Sequence, residues 1–329
     1  MLIKVPQTLP ARQILQSENI PLVDTPWNLP RGTRPLQIAI LNLMPNKIET
    51  ETNLLRVLGS SPLPVEVTWV RVNSHRSKNT SQEHLASFYQ TFDQIKFRHF
   101  DGLMITGTPV EHLEFEQVDY WPELKRIMDW GLRNVPSLFY ICWGAQAALH
   151  HHYGISKYAL PEKKFGVFAH ETNDKNVDLL RGFDDVFFAP HARFTEIRRE
   201  DIEKIPALQI VSESADAGVN IVVSRDGRQV FVTGHPEYDS LALKKEYERD
   251  TALNLPIPVP VNYYPQDDPT RQPLVRWRSH AHLLYSNWLH YYVSRNAANE
   301  ANTLQRTPMM SCQAIHELAV PCASSTYSG

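Results

Sequence analysis

The sequence predicts an α/β protein on a doubly wound, mainly parallel sheet, with extra strands and a C-terminal helix. Three observations lead there. Short apolar runs of strand length alternate with segments of helical spacing over residues 36–154. After Gly154 the alternation gives way to short strands with few long helices between them. A last segment, WRSHAHLLYSNWLHYYV at 277–293, has the apolar spacing of a helix packed on a sheet.

In chain order, residues 1–35 are rich in Pro and polar groups and read as an arm. LQIAILNLM at 36–44 is an apolar run suited to a strand covered on both faces, the setting of parallel sheets. ETNLLRVLG at 51–59 is helical in spacing and closed by Gly59, and VEVTWVRV at 65–72 alternates like a half-exposed strand. DGLMITG (101–107), WPELKRIMDWGLRN (121–134), SLFYIC (137–142) and GAQAALHHHYG (144–154) continue as strand, helix, strand and helix. Short strands follow at 165–172, 185–194, 208–214, 219–226 and 229–237, read as a mixed or antiparallel extension of the same sheet. The proline-rich stretch 253–273 suits neither helix nor central strand, because each Pro fixes φ and removes a donor. One domain over 36–293 is expected, with a polar, aperiodic tail over 294–329 expected to be disordered.

Composition narrows the function. A 329-residue chain that is 42% hydrophobic buries a substantial core, and a net charge of -3 argues against a general nucleic-acid binder. Cys142, Cys312 and Cys322 are too scattered for a disulfide framework and form no C-x-x-C pair, which points to a reducing cytoplasm. The N-terminus lacks the pattern of a signal peptide, and no apolar run approaches the ~18 residues of a membrane span. Secretion and membrane insertion are therefore not expected. Nucleotide hydrolysis and dinucleotide chemistry lack their glycine-rich phosphate loops.

Two motifs carry chemistry. In LFYICWGAQAALHH an apolar strand runs into Cys142 and a helix begins within two residues, the pattern of a nucleophile elbow. The free N–H groups and dipole of a helix N-terminus favour a thiolate, and the Trp143 N–H is one candidate oxyanion donor. Taken alone, the cysteine also fits a small buried hydrophobe. In VFVTGHPEYD, His235 and Glu237 follow another strand two residues apart, so both project to one side. Glu237 can then orient the His235 imidazole toward Cys142, as in Cys-His-acid catalysis. An isolated His-x-Glu is a common loop hydrogen-bond pair; both motifs at carboxyl ends of strands are less easily explained that way.

The strings LNLMPNKIETE (41–51), HFDGLMITGTP (99–109), YICWGAQAAL (140–149), GFDDVFFAPHARF (182–194), FVTGHPEYD (231–239) and NYYPQDDP, with the 277–293 segment, resemble the homoserine O-acyltransferase family. That resemblance covers about residues 1–293 and implies a fold similar to class I glutamine amidotransferases, which is flavodoxin-like. It implies a ping-pong reaction in which Cys142 takes an acyl group from acyl-CoA and an amino-acid hydroxyl attacks the thioester. His235 would be the general base, assisted by Glu237, and Lys47 would stabilise a thiolate or oxyanion. Lys163 and Arg249 match substrate-binding positions, where cations suit an α-carboxylate.

In the family, glutamate at the position of Glu111 accompanies acetyl use and glycine succinyl use. The physics agrees, since a second carboxylate beside that of a succinyl group costs like-charge repulsion. Without the family, Glu111 reads as an acid opening a short helix. Ala192 departs from the serine common there, removing a hydroxyl hydrogen bond worth ~1 kcal/mol to the acceptor. L-Homoserine is thus the expected acceptor, with L-serine as an alternative; succinyl transfer and a glutamine amidotransferase-type hydrolase are further alternatives. Against the last, only Gly144 of the two glycines that usually flank such a cysteine is present, Tyr140 occupying the other position. Acetyl-CoA enters as donor substrate with no cofactor, and the resemblance makes a homodimer the expectation. No metal is expected: adjacent helix positions point about 100° apart, so His150, His151 and His152 should not converge on one ion. Arg276, Trp277 and Arg278 read as helix packing with a solvated edge.

Overall fold

In the computed structural model residues 2–23, 33–75, 77 and 79–296 are described. The chain runs β1 (Leu2–Lys4), α1 (Ala11–Ser17), β2 (Leu22–Val23), β3 (Leu36–Leu41), α2 (Lys47–Leu58), β4 (Pro64–Arg71), α3 (Gln82–Phe88), β5 (Tyr89–Thr91), α4 (Phe92–Ile95) and β6 (Gly102–Ile105). It continues through α5 (Trp121–Asn134), β7 (Ser137–Ile141), α6 (Trp143–Tyr153), β8 (Tyr158–Thr172), β9 (Val186–Glu196), α7 (Arg199–Glu203), β10 (Leu208–Ser214), β11 (Gly218–Ser224) and β12 (Gln229–Val232). Helices α8 (Ala242–Ala252) and α9 (Arg278–Asn287) close it, the latter prolonged by a π-helical turn over Trp288–Ser294.

All the strands join one sheet, in the order β2-β1-β4-β3-β6-β7-β12-β11-β10-β8-β9, with β5 beside β4. From β2 to β12 the neighbours are parallel; β12-β11-β10-β8-β9 are antiparallel. The central strands are apolar at nearly every position because both faces are covered, Gln37, Ser137 and Gln229 lying toward their amino ends. Ile38, Ile40, Phe139 and Ile141 pack with Leu54 and Leu55 of α2 and Leu284 and Tyr285 of α9. Their neighbours Ala39, Leu41, Leu138 and Tyr140 pack on the other face with Leu124 and Ile127 of α5 and Ala148 of α6. The doubly wound expectation and the antiparallel extension both hold.

The arm expected over residues 1–35 is instead folded where it is described. β1 pairs in parallel with β4, and β2 with β1. Leu9, Ala11 and Leu15 are buried, and α1 lies against α2. Strands of two and three residues and a seven-residue helix are too short for periodicity to reveal. Helix α8 was also missed: of its eleven residues only Leu243 and Asp250 are buried, so it shows no apolar stripe. The proline-rich stretch is irregular, as expected, and docks on β8 through Val261, whose N–H donates to Phe165 O at 3.0 Å and whose carbonyl accepts from Val167 N at 2.8 Å. The expected tail lies outside the described residues from 297 onward, as do Cys312 and Cys322. No helix among the described residues is long and apolar enough to cross a membrane.

Candidate active site

Three neighbouring strands deliver the reactive groups to one edge of the sheet. Ile141 of β7 pairs with Val232 of β12, so Cys142 and the Thr233–His235 segment leave the sheet side by side. On the other flank of β7, β6 leads into Gly107.

Cys142 has φ 51° and ψ -119°, a conformation that costs a residue with a side chain ~1–3 kcal/mol. Hydrogen bonds hold it there: its N–H donates to Val232 O at 2.7 Å, and its carbonyl accepts from Ala145 N at 2.9 Å and Gln146 N at 3.1 Å. The chain thereby turns from β7 into α6 across a single residue. A Cβ on Gly144 would lie 2.7 Å from Thr106 O, so glycine lets α6 start against β6. A Cβ on Gly107 would lie 3.1 Å from Cys142 Cβ and 3.5 Å from Trp143 N, so glycine leaves free the space beside the Cys142 side chain. The Trp143 N–H, first in α6, has no acceptor within the helix.

His235 is buried, with Cys142 and Glu237 as its electrostatic neighbours. Its Nδ1 is 2.8 Å from Glu237 Oε1, its ring stacks on Tyr238 at 4.1 Å, and Cys142 acts on it electrostatically. Burial pushes its pKa down, but the charges of Cys142 and Glu237 outweigh that and hold it well above the usual histidine range. Tyr285 of α9 stands against Glu237: buried, and facing that charge, its hydroxyl has a pKa raised well above that of free tyrosine. It lies at long range, since neither the Tyr285 hydroxyl nor Glu237 Oε2 closes a hydrogen bond of normal length.

Glu111 shares this environment. Its Oε2 accepts from Phe194 N at 2.6 Å, and burial raises its pKa against the pull of that N–H and of His235, Lys163 and Arg193. Arg193 is 1% exposed and donates to Thr195 O at 2.7 Å and to Ala217 O. Burial lowers its pKa, opposed by the charges of Cys142, Glu196 and Glu111. Ala192 precedes it, half-buried on β9 opposite Phe165.

The two cations expected to bind substrate already hold carboxylates. Lys163 Nζ lies 2.6 Å from Glu246 Oε1 and 3.6 Å from Asp250 Oδ2. Arg249, with a side chain 62% exposed, bonds Asp250 Oδ1 at 2.6 Å and approaches Glu246 at 3.7 Å. Lys163 reaches Glu111 electrostatically, whereas Arg249 is not among the groups acting on Glu111. Lys47 sits at the first position of α2, after the Asn46 cap. It is buried, donates to Asn42 O and stands over the Tyr89 ring at 5.8 Å; it makes no hydrogen bond to Cys142. Burial, with Arg71 adding and Glu51 opposing, lowers its pKa to about 8.

Residues 2–299 match the family described as homoserine O-succinyltransferase. The chain belongs to this family. It is 58% identical over 305 residues to a homoserine O-acetyltransferase of Acetivibrio thermocellus, covering 93% of this chain and 100% of that one. A homoserine O-acetyltransferase of Brevibacillus brevis is 56% identical, with the same coverage of each. Among solved structures, a glutamine amidotransferase from Thermotoga maritima aligns with TM-score 0.54 at 14% identity, over 79% of this chain and 98% of that one. A protein from Thermoplasma acidophilum described as a GMP synthase component gives 0.52 at 14% identity, over 82% and 98%. These two establish the fold, a class I glutamine amidotransferase-like sheet.

In this member of the homoserine O-succinyltransferase family, several site residues escaped sequence reasoning: Gly107, Arg193, Tyr238, Tyr285, Glu246 and Asp250. Gly107, Arg193 and Tyr238 lie inside the strings TGTP, APHARF and FVTGHPEYD, and Tyr285 in the 277–293 segment; Glu246 and Asp250 carry no local signal. The histidine tract is also more convergent than helix geometry suggests. His150 stacks on Phe115, but His151 bonds Asp129 of α5 at 2.7 Å, and Asp129, His151 and His152 offer ligand atoms within 4.8 Å of one another. Trp277 packs as expected, and its indole N–H donates to Tyr238 O at 2.9 Å.

Proposed function

We propose that the chain is an acyl-CoA-dependent O-acetyltransferase that moves acetyl from acetyl-CoA to the hydroxyl of L-homoserine through a thioester on Cys142. The observation that carries this reading is the buried Cys142-His235-Glu237 line with the Glu111 carboxylate within electrostatic reach of His235.

The Cys142 thiolate attacks the acetyl carbonyl of the donor, and the oxyanion is met by the Trp143 N–H beside Gly107. As the tetrahedral intermediate collapses, the C–S bond to CoA breaks and the leaving thiolate takes the proton of the His235 imidazolium. Acylation removes the sulfur's charge, and with it one cause of the raised His235 pKa, so the imidazole is left neutral as a base. It then takes the proton of the homoserine hydroxyl, whose oxygen attacks the thioester. O-acetyl-L-homoserine departs, and the imidazolium-thiolate pair is restored. Glu237 orients His235 throughout. Lys163 and Arg249 meet the amino-acid carboxylate by exchanging part of their hold on Glu246 and Asp250. The product fits methionine biosynthesis in the cytoplasm.

The test is a four-way assay of acetyl-CoA or succinyl-CoA against L-homoserine or L-serine. Acetyl transfer to L-homoserine is the expected best combination. L-Serine as the better acceptor would trace to Ala192, whereas ammonia release from glutamine would overturn the reading.

A further inference from the structure

A cavity of about 420 Å³ lies beside the triad, at the carboxyl ends of β3, β4 and β6. Met44 lines both this cavity and the small pocket formed by Thr106, Gly107, His235 and Glu237, so the two are neighbours. The small pocket has only about 20 Å³ of free volume, roughly one water. The large one has the size of a ligand site, which runs ~300–1,000 Å³.

The lining is mixed in a specific way. Leu43, Val72, Leu85, Val110 and Leu113 make apolar walls, among which Lys47 and Arg71 place two cations. Arg71 Nε is buried without a hydrogen-bond partner, and its NH1 makes only a 3.5 Å contact to Val72 O. A buried guanidinium N–H left idle costs about 1–3 kcal/mol until an acceptor arrives. Lys47 and Arg71 also repel one another, which an oxygen-rich ligand would relieve.

The segment 107–111 divides the two approaches to Cys142. Thr108, Pro109 and Val110 face this cavity, while the Glu111 carboxylate is bonded to Phe194 on the side of Lys163.

We infer that the cavity is the binding site for the pantetheine arm of the acyl-CoA donor. Its apolar walls hold the chain, Arg71 and Lys47 hold its acceptor oxygens, and the amino-acid acceptor enters from the other side of segment 107–111. This inference rests on the acyl-CoA reading above. The arm is linear and amphipathic, with amide and hydroxyl oxygens spaced along a hydrocarbon chain, which is what alternating apolar wall and idle donor select.

The experiment compares two donors of the same acetyl group to the same cysteine. Acetyl-CoA carries the arm; p-nitrophenyl acetate does not. Acylation rates are measured in wild type, in Val110→Trp, which fills the cavity, and in Arg71→Gln, which removes the guanidinium and keeps a polar side chain. The ratio of acylation by acetyl-CoA to that by p-nitrophenyl acetate is expected to fall about tenfold or more in each variant. An unchanged ratio in both, or equal loss with both donors, overturns the inference. A wild-type enzyme acylated by p-nitrophenyl acetate but not by acetyl-CoA overturns the acyl-CoA reading itself, and the two failures are thus distinct.

Discussion

The Glu111 carboxylate accepts a 2.6 Å hydrogen bond from the Phe194 backbone N–H, which fixes an anion among His235, Lys163 and Arg193. Under the proposed reaction, an acyl group bearing its own carboxylate would meet that charge with little solvent to screen it. Glu111→Gly is therefore expected to raise kcat/KM for succinyl-CoA about tenfold or more. If succinyl use does not increase, charge repulsion is not what sets the choice.

The same residue predicts a pH effect. Burial raises the Glu111 pKa, so the carboxyl loses its charge as pH falls toward that raised value. The ratio of succinyl to acetyl transfer in the wild type should rise with falling pH, and in Glu111→Gln it should be flat. Competition assays with both donors at several pH values measure it.

Glu237→Gln keeps the shape beside His235 Nδ1 but removes the charge that raises the imidazole's pKa. The expected outcome is a kcat lowered about 100-fold or more with KM for acetyl-CoA little changed, because the lost interaction acts on the proton in flight. Steady-state kinetics decide it: a change confined to KM would assign Glu237 to binding.

Lys47, its pKa lowered to about 8, loses its charge within the working range of most enzymes. If it holds the donor, kcat/KM for acetyl-CoA declines as pH rises through that value, and Lys47→Arg moves the decline to higher pH. A profile identical in the two proteins would show that Lys47 is not what titrates.

Stability has its own test in Asp101, which is buried and accepts from Arg34 NH1 at 2.6 Å, Arg34 NH2 at 2.7 Å and Gln37 N at 2.8 Å. Burial favours its protonated form, but those donors outweigh it and lower its pKa. A depressed carboxylate stabilises above its unfolded pKa, and that contribution disappears as pH falls through the folded one. Asp101→Ala should cost about 2 kcal/mol at neutral pH. Urea titrations of wild type and variant should converge in acid; a constant gap would deny the ionic origin.

What could be read in the sequence follows burial. Strands β3, β6, β7 and β12 are covered on both faces and stand out as continuous apolar runs, and the residues just past β7 and β12 therefore announced Cys142 and His235. Helix α8 was illegible because it buries only Leu243 and Asp250. With it went the carboxylates of Glu246 and Asp250, and hence the fact that Lys163, 83 residues from Glu246, is already paired. Tyr285 is an ordinary apolar position of an amphipathic helix until the fold sets it against Glu237. The cations and apolar side chains of the cavity come from separate elements, so neither its volume nor the idle Arg71 Nε has a local signature.

The acyl group proposed on Cys142 is open to mass spectrometry of the enzyme quenched after mixing with acetyl-CoA, without acceptor. One acetyl group is expected on the peptide containing Cys142, discharged on adding L-homoserine and absent from Cys142→Ser under the same quench. Formation of O-acetyl-L-homoserine at full rate with Cys142 never modified would contradict it.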